Sequence, residues 1–445
     1  MVLSRRDFLT WSAVLAAGAV TGVGGACSAK PARQAAAPEP QELMKVGLYT
    51  WEEITYLPRQ TEWLALAYAR AGVMTDPLMT FCVEHTIDVL LNVSPAADRT
   101  TFGTDAEFVA AYVAQVDQAL RRYGPKGTFW GENPGMRYRP ITQLEVCNEP
   151  NFGYGFSGSP EEIVAVYAQV LIQTYRHIKS AWPEVTVVGF AAGGASNAAP
   201  DFISASFAAL KAAGDLNCFD VVAFHPYTSN KPPEQTIVES WGSWSGQESI
   251  DAIQQIMLEH GINKPLWITE VGYQISQADG GMFAVTTLDS SGQPDTVTPA
   301  QQAAYTIRVN MAAARYDIPR VYHMFALDSD NYNGGWFGLA PANDPRPVAV
   351  AMRQVIQLLS GATYLEIVLD GSDDLAKPFA YRFTTPRGSV LVAWCQLPAS
   401  YNLKLDAGTR TVVTDMLGNQ IATTADTTYE AALSETPIFL HSTPA

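Results

Sequence analysis

The chain is poor in cysteine, in positive charge and in long apolar runs, and each shortage closes off a class of protein. Five cysteines, Cys27, Cys82, Cys147, Cys218 and Cys395, are spread over 445 residues. They lack the close pairing of a zinc site or a disulfide framework. Cys82, Cys147 and Cys218 stand in apolar surroundings and read as buried free thiols. Lysine and arginine total 28 against 44 aspartates and glutamates, a net charge of −16. A phosphate backbone needs a basic footprint, so nucleic acid is not expected as a partner. Beyond the N-terminus no stretch reads as a transmembrane helix. No G-x-G-x-x-G follows a strand-like run, which argues against a dinucleotide-binding open sheet; Gly22, Gly24 and Gly25 lie in the N-terminal segment. Asp328 and Asp330 lack the glycine and glutamate spacing of a calcium loop. No metal or organic cofactor is expected.

What the chain does have is a large core: 47% of residues are hydrophobic and 16% charged. Residues 1–27 are set apart from the fold. Ser4-Arg5-Arg6-Asp7-Phe8-Leu9, an apolar run to Val23 and a small-residue end resemble a twin-arginine export signal. Gly24-Gly25-Ala26-Cys27 partly resembles a lipobox, which makes Cys27 a lipidation candidate and gives a candidate membrane anchor; cleavage of an ordinary signal nearby is the alternative. Residues 28–43 are rich in proline and alanine and read as a tether. A periplasmic, cell-surface or secreted protein follows, and it is expected to be a monomer.

From residue 44 to 360 strand-like and helix-like runs alternate. The strand candidates are Val46–Trp51, Ile87–Val93, Ile141–Cys147, Val185–Phe190, Phe219–Phe224, Pro265–Thr269 and Arg320–Ala326, short runs without alternation, as in strands covered on both faces. Helix starts are marked at Thr104 with Glu107, at Ser159-Pro160-Glu161-Glu162 and at Thr298-Pro299-Ala300-Gln301. This pattern predicts a parallel sheet, and a closed (β/α)8 barrel fits it best. Only seven strands can be counted; one before Ile87 is either unrecognised or absent, so the N-terminal unit is expected to be reduced. Residues 361–445 read as short strands with turn signals, a small β-sandwich.

Two strand candidates end in a carboxylate. "LEVCNEP" delivers Asn148 and Glu149 and then stops at Pro150; "PLWITEVG" delivers Glu270 before Gly272. If these are strands four and seven, both glutamates sit at the barrel's C-terminal mouth, where such scaffolds present chemistry. Between them "VVAFHPYTS" brings His225 and Tyr227 to the end of strand six. Cleaving an acetal needs a proton for the departing oxygen and an electron-rich group on the opposite side, and two carboxyls about 5–5.5 Å apart supply both with retention of configuration.

Asn-Glu-Pro, His-Pro-Tyr and Thr-Glu-Val-Gly, in this order at the ends of strands four, six and seven, resemble clan-A glycoside hydrolases over residues 45–350, in particular family-39-like members. Val412–Gly418, "VVTDMLG", is similar to a strand and turn of their appended β-sandwich. The resemblance implies an exported retaining enzyme acting on a β-linked poly- or oligosaccharide. It makes Glu149 the general acid/base and Glu270 the nucleophile. It places Asn148 on the sugar 2-hydroxyl, Tyr227 as a donor to Glu270 and His225 in the floor of the site. The clan also brings an arginine from strand two to the nucleophile. With Trp51-Glu52-Glu53-Ile54 taken as the turn after that strand, residues 45–58 contain none. Two rivals stand beside this reading: a transglycosylase with the same two glutamates, and a surface lipoprotein that binds glycan without cleaving it, to which the missing arginine gives its weight. Ten tryptophans complete the inventory. Trp182, Trp267 and Trp394 read as packing. Trp51, Trp130, Trp241, Trp244 and Trp336 lie in loops or at strand ends, and Trp51 and Trp336 are the candidates to stack on sugar faces. His323 is expected to face the mouth or the core.

Overall fold

The computed structural model describes residues 45–194, 198–239, 242–281, 288, 292–328 and 345–444. Cys27, the tether, Trp241, Asp330 and Trp336 lie outside the described residues.

Eight parallel strands close into a barrel. They are β1 (Lys45–Thr50), β2 (Tyr68–Ala71), β3 (Asp88–Val93), β4 (Gln143–Val146), β5 (Thr186–Gly193), β6 (Val221–His225), β7 (Leu266–Val271) and β8 (Arg320–His323). Closure is made by β8 against β1, with Lys45 opposite Arg320 and Leu48 opposite His323. The seven runs read from the sequence are all there. The eighth, β2, was hidden because "LALAYARAG" looks like more helix after Pro58–Leu64. That helix instead stops at Ala65, which is left-handed (φ 57°), and the chain turns back into a four-residue strand. Val46–Trp51 is therefore the first strand, and the first βα unit is complete: the 3-10 turn Glu52–Tyr56 and the helix Pro58–Leu64 follow it.

The barrel has two cores. Leu90, Val188, Ala191, Val221, Ala223, Trp267 and Tyr322 form a buried cluster separate from the main one, the inside of the barrel. The main core lies between strands and helices. The helices begin where their caps predict: Thr104 Oγ1 accepts from the N–H of Glu107, and Ser159 and Thr298 each form a reciprocal capping box. His323 belongs to the layer between barrel and helices, 3.0 Å from Asn310 Nδ2 on the helix Pro299–Arg315, and not to the mouth.

After the helix Pro347–Leu359 come the sandwich strands. Six antiparallel strands form one sheet, and Ala399–Lys404 pairs with Thr428–Leu433 in a second. Trp394 stacks on Phe379 at 5.0 Å between sheet and helices, a packing residue like the buried Trp182 and Trp267. Arg308 ties the sandwich to the barrel: buried, it donates to Glu234 in the loop after β6 and, from the same guanidinium, to Gln396 and the backbone oxygen of Glu435. Cys82, Cys147, Cys218 and Cys395 are buried free thiols.

Candidate active site

The exit from β4 explains its sequence. Leu144 and Val146 are apolar and buried; Glu145, between them in the alternation, is buried as well. Beyond Val146 the backbone enters left-handed geometry at Cys147 (φ 67°) and Glu149 (φ 44°), each costing about 1–3 kcal/mol for a residue with a side chain. Hydrogen bonds hold this turn. Asn92 Nδ2 donates to the Cys147 oxygen at 2.7 Å. The Cys147 N–H donates to Val93 O at 3.0 Å and the Glu149 N–H to Ala191 O at 3.0 Å. Pro150 then opens the short turn Pro150–Phe152. The neighbouring β5 carries a bulge between Gly189 and Ala192. It ends at Gly193, where a Cβ would collide with Glu149 Oε1 and the ring of Phe152. Strand, bulge and glycine together make room for one carboxyl.

The barrel brings Glu149, His225 and Glu270 together: one donor atom from each lies within 4.8 Å of the others. Arg70 Nη1 donates to Glu270 Oε2 at 2.7 Å, and the Tyr227 hydroxyl donates to Glu270 Oε1 at 2.8 Å. Both oxygens of that carboxyl are thus fixed. Glu149 Oε1 is 2.8 Å from His225 Nδ1, and His225 Nε2 is 3.1 Å from Thr269 Oγ1. The donor set could suggest a cation site. It does not fit one: both imidazole nitrogens and both Glu270 oxygens are engaged, and the Arg70 charge already stands among them.

Arg70 is the arginine the sequence reading could not find. It sits on β2, fully buried, with its guanidinium 4.6 Å from the centre of the Tyr49 ring. Besides Glu270 it donates through Nε to Glu145 Oε2 at 2.7 Å and through Nη2 to Asn148 Oδ1 at 2.6 Å. Because a guanidinium only donates, the last contact fixes which end of the Asn148 amide is oxygen and leaves the N–H groups as what that side chain offers a ligand.

Burial pushes the Glu149 carboxyl up to about 7, with Arg70 pulling it down and Glu145 pushing it further up. Burial pushes His225 down to about 4, so it is neutral at pH 7. One carboxyl of the pair is therefore protonated near neutrality beside another gripped by an arginine and a phenol, the arrangement that separates an acid from its partner.

Trp51 lies on the rim, its ring 4.5 Å from Phe325 in a cluster that also holds Tyr227. Trp244 is buried against Ile237 and is not a rim residue. Trp130 packs on Phe129 and Tyr138, ahead of β4 rather than after it. Two residues escaped the sequence reading. Phe152 and Tyr154 follow Glu149 directly and are 42% and 57% exposed. The negative charges of Glu149 and Glu270 reach the Tyr154 hydroxyl and, after burial, help raise its pKa. Their signal was the alternation of aromatic and glycine in "NFGYG", in a loop that leaves a strand at a carboxylate.

Comparison with known proteins adds the following. Residues 2–22 match the TAT (twin-arginine translocation) pathway signal sequence, so the chain carries a twin-arginine export signal. No curated protein matches the chain. Among solved structures, a monomeric beta-xylosidase from Caulobacter crescentus CB15 aligns with a TM-score of 0.55 at 13% identity, over 91% of this chain and 97% of that one. A glucosidase from Croceicoccus marinus aligns with a TM-score of 0.60 at 14% identity, over 91% and 96%. The GH39 enzyme from Xanthomonas axonopodis pv. citri aligns with a TM-score of 0.54 at 14% identity, over 91% and 94%. At such identities the likeness is one of fold: an exported chain whose (β/α)8 barrel and β-sandwich follow the course of these enzymes.

Proposed function

We propose that this protein is a retaining clan-A glycoside hydrolase, family-39-like, that cleaves O-glycosidic bonds of a β-linked oligo- or polysaccharide. The observation that carries the proposal is the Glu149–Glu270 pair. One oxygen of each lies within 4.8 Å of the other, which favours the close carboxyl pair of double displacement over the wider pair of inversion. In the first step Glu270 attacks the anomeric carbon, the bond to the leaving oxygen breaks, and Glu149 gives that oxygen its proton. The product is an ester between Glu270 and the sugar. In the second step Glu149, now a carboxylate and hydrogen-bonded to His225, takes a proton from water. The water oxygen bonds to the anomeric carbon and the ester carboxylate leaves. The Asn148 amide donates to the sugar 2-hydroxyl, and Trp51 offers its ring at the rim. Arg70 supplies the arginine whose apparent absence favoured a binding protein without catalysis.

The test is Glu149→Ala. Glycosides with poor leaving groups should lose about 10²- to 10⁴-fold in kcat/KM, the worth of general acid catalysis. Activated aryl glycosides should keep most of their first-step rate, and added azide should yield a glycosyl azide of retained configuration. Equal losses on both substrates would remove Glu149 from the acid role. In the wild type the acid must be protonated, so turnover of poor-leaving-group substrates should fall as pH rises through about 7; a limb near pH 4 would point to a carboxyl in an ordinary environment.

Gly193→Ala provides a purely geometric test, because its methyl would occupy the space of Glu149 Oε1. A displacement on the order of 1 Å costs about 10²-fold, and the loss should appear in kcat with the melting temperature little changed. Unaltered kinetics would mean that Glu149 works from another position.

A further inference from the structure

Three carboxylates, not two, share the top of the barrel interior. Glu145 stands one strand alternation before the catalytic turn, fully buried, where an apolar side chain would cost nothing to desolvate. Its Oε2 accepts from Arg70 Nε at 2.7 Å and from Asn92 Nδ2 at 2.9 Å, and Arg70 Nη2 stands 2.6 Å away as the other half of the ion pair. Its Oε1 is buried with no hydrogen-bond partner. A buried acceptor left unsatisfied is destabilising, so packing does not account for a carboxylate at this place.

Its position accounts for it. The guanidinium is divided: Nε donates to Glu145, Nη1 to Glu270 and Nη2 to Asn148, with Glu145 Oε2 also in ion-pair contact with Nη2. The same Asn92 amide that holds Glu145 Oε2 also holds the Cys147 oxygen, at the start of the turn that presents Glu149. The groups facing Glu149 are Arg70 from β2, Glu145 from its own strand, His225 and Tyr227 at and after β6, Glu270 from β7 and Tyr154 from the loop after β4. Asn92 of β3 and Gly193 of β5 carry no charge. Among these, Arg70 is the sole cation at neutral pH.

We propose that Glu145 is a positioning residue that shares the Arg70 guanidinium with Glu270 and so limits how much positive charge reaches the Glu149–Glu270 pair. With Glu145 in place, Glu270 is oriented by Arg70 without being held so tightly that attack on the sugar is slowed, and Glu149 keeps its proton. Neutralising Glu145 removes a negative charge near Glu149 and releases the full guanidinium charge toward both catalytic carboxyls. The proposal rests on the glycosidase reading for its catalytic consequence, while the electrostatic part stands on the contacts of Arg70.

The experiment is Glu145→Gln, which keeps the shape and keeps an oxygen for Arg70. For an aryl glycoside that the wild type hydrolyses, KM should stay within about twofold while kcat falls, since ground-state contacts are untouched. The high-pH limb of kcat/KM should move toward acid by about one unit, the size of a single nearby charge. A carbon-13 titration of the Glu149 carboxyl should show the same displacement without any substrate. Glu145→Asp, which keeps the charge but withdraws it by one methylene, should shift both readouts in the same direction by less, and it serves if the glutamine variant does not fold. An unmoved limb and an unmoved titration in either folded variant would overturn the proposal and leave Glu145 a core residue. If the wild type cleaves no glycoside, the glycosidase reading falls, and the carboxyl titration still decides whether Glu145 governs the pair.

Discussion

Glu270→Gly is expected to abolish hydrolysis of activated aryl glycosides, by about 10⁴-fold or more, since removing a nucleophile collapses the whole covalent route. The glycine leaves a hole beneath the anomeric carbon, lined by Arg70 Nη1 and the Tyr227 hydroxyl, which donate to Glu270 at 2.7 Å and 2.8 Å in the intact site. A small anion fits that lining. Azide should therefore restore turnover and form a glycosyl azide of inverted configuration, because it attacks from the face the carboxylate has vacated. This is the opposite outcome from the acid/base variant, and the pair of products separates the two glutamates without reliance on rate alone. A folded Glu270→Gly protein with near-normal activity would remove Glu270 from the mechanism.

Arg70→Met should be the second most damaging change, and it acts on stability as well as on catalysis. The side chain is fully buried and bonds Glu145, Glu270 and Asn148 at once. Methionine fills much of the volume but leaves Glu145 and Glu270 without their counter-charge. Removing one partner of a buried ion pair costs about 3–5 kcal/mol, and the loss should be visible in urea denaturation at neutral pH. The surviving folded protein should show kcat lowered by about 10²-fold or more, because the nucleophile is no longer oriented. Arg70→Lys should recover part of the stability and little of the rate, since an ammonium replaces the charge but not the three-way planar fork. Stability and kcat both within error of the wild type would mean that Arg70 does not hold the site together.

Most of the barrel was readable from the sequence because parallel strands covered on both faces are written as short Val, Ile and Phe runs, and seven of the eight carry that signature. β2 does not. Its four residues, Tyr68–Ala71, include an arginine and two alanines, and they continue the helix-favouring run Ala65-Leu66-Ala67 that follows the helix Pro58–Leu64. An interior arginine is tolerated only because Glu145, Glu270 and Asn148 reach it from β4 and β7, strands distant in sequence. No local pattern can announce such a partner set. The two glutamates were legible for the opposite reason: each ends an apolar run abruptly, one at Pro150 and the other just before Gly272. The left-handed turn at Cys147 and Glu149 was not legible, since neither residue is a glycine and the geometry depends on Asn92 and Ala191. The rim was half legible. Trp51 was found by its place at a strand end, while Phe152 and Tyr154 were passed over in favour of tryptophans, one of which, Trp244, is buried.

Double displacement requires two carboxyls on opposite faces of one sugar ring, one to form the ester and the other to admit water where the leaving group departed. The measurement that reaches it most directly is proton NMR of the first sugar formed from an aryl β-glycoside that the protein turns over, read before the anomers equilibrate. The Glu149–Glu270 spacing predicts that the β-anomer appears first and the α-anomer only later, by mutarotation. Initial release of the α-anomer would mean a single displacement by water, and the assignment of Glu270 as nucleophile would have to be abandoned.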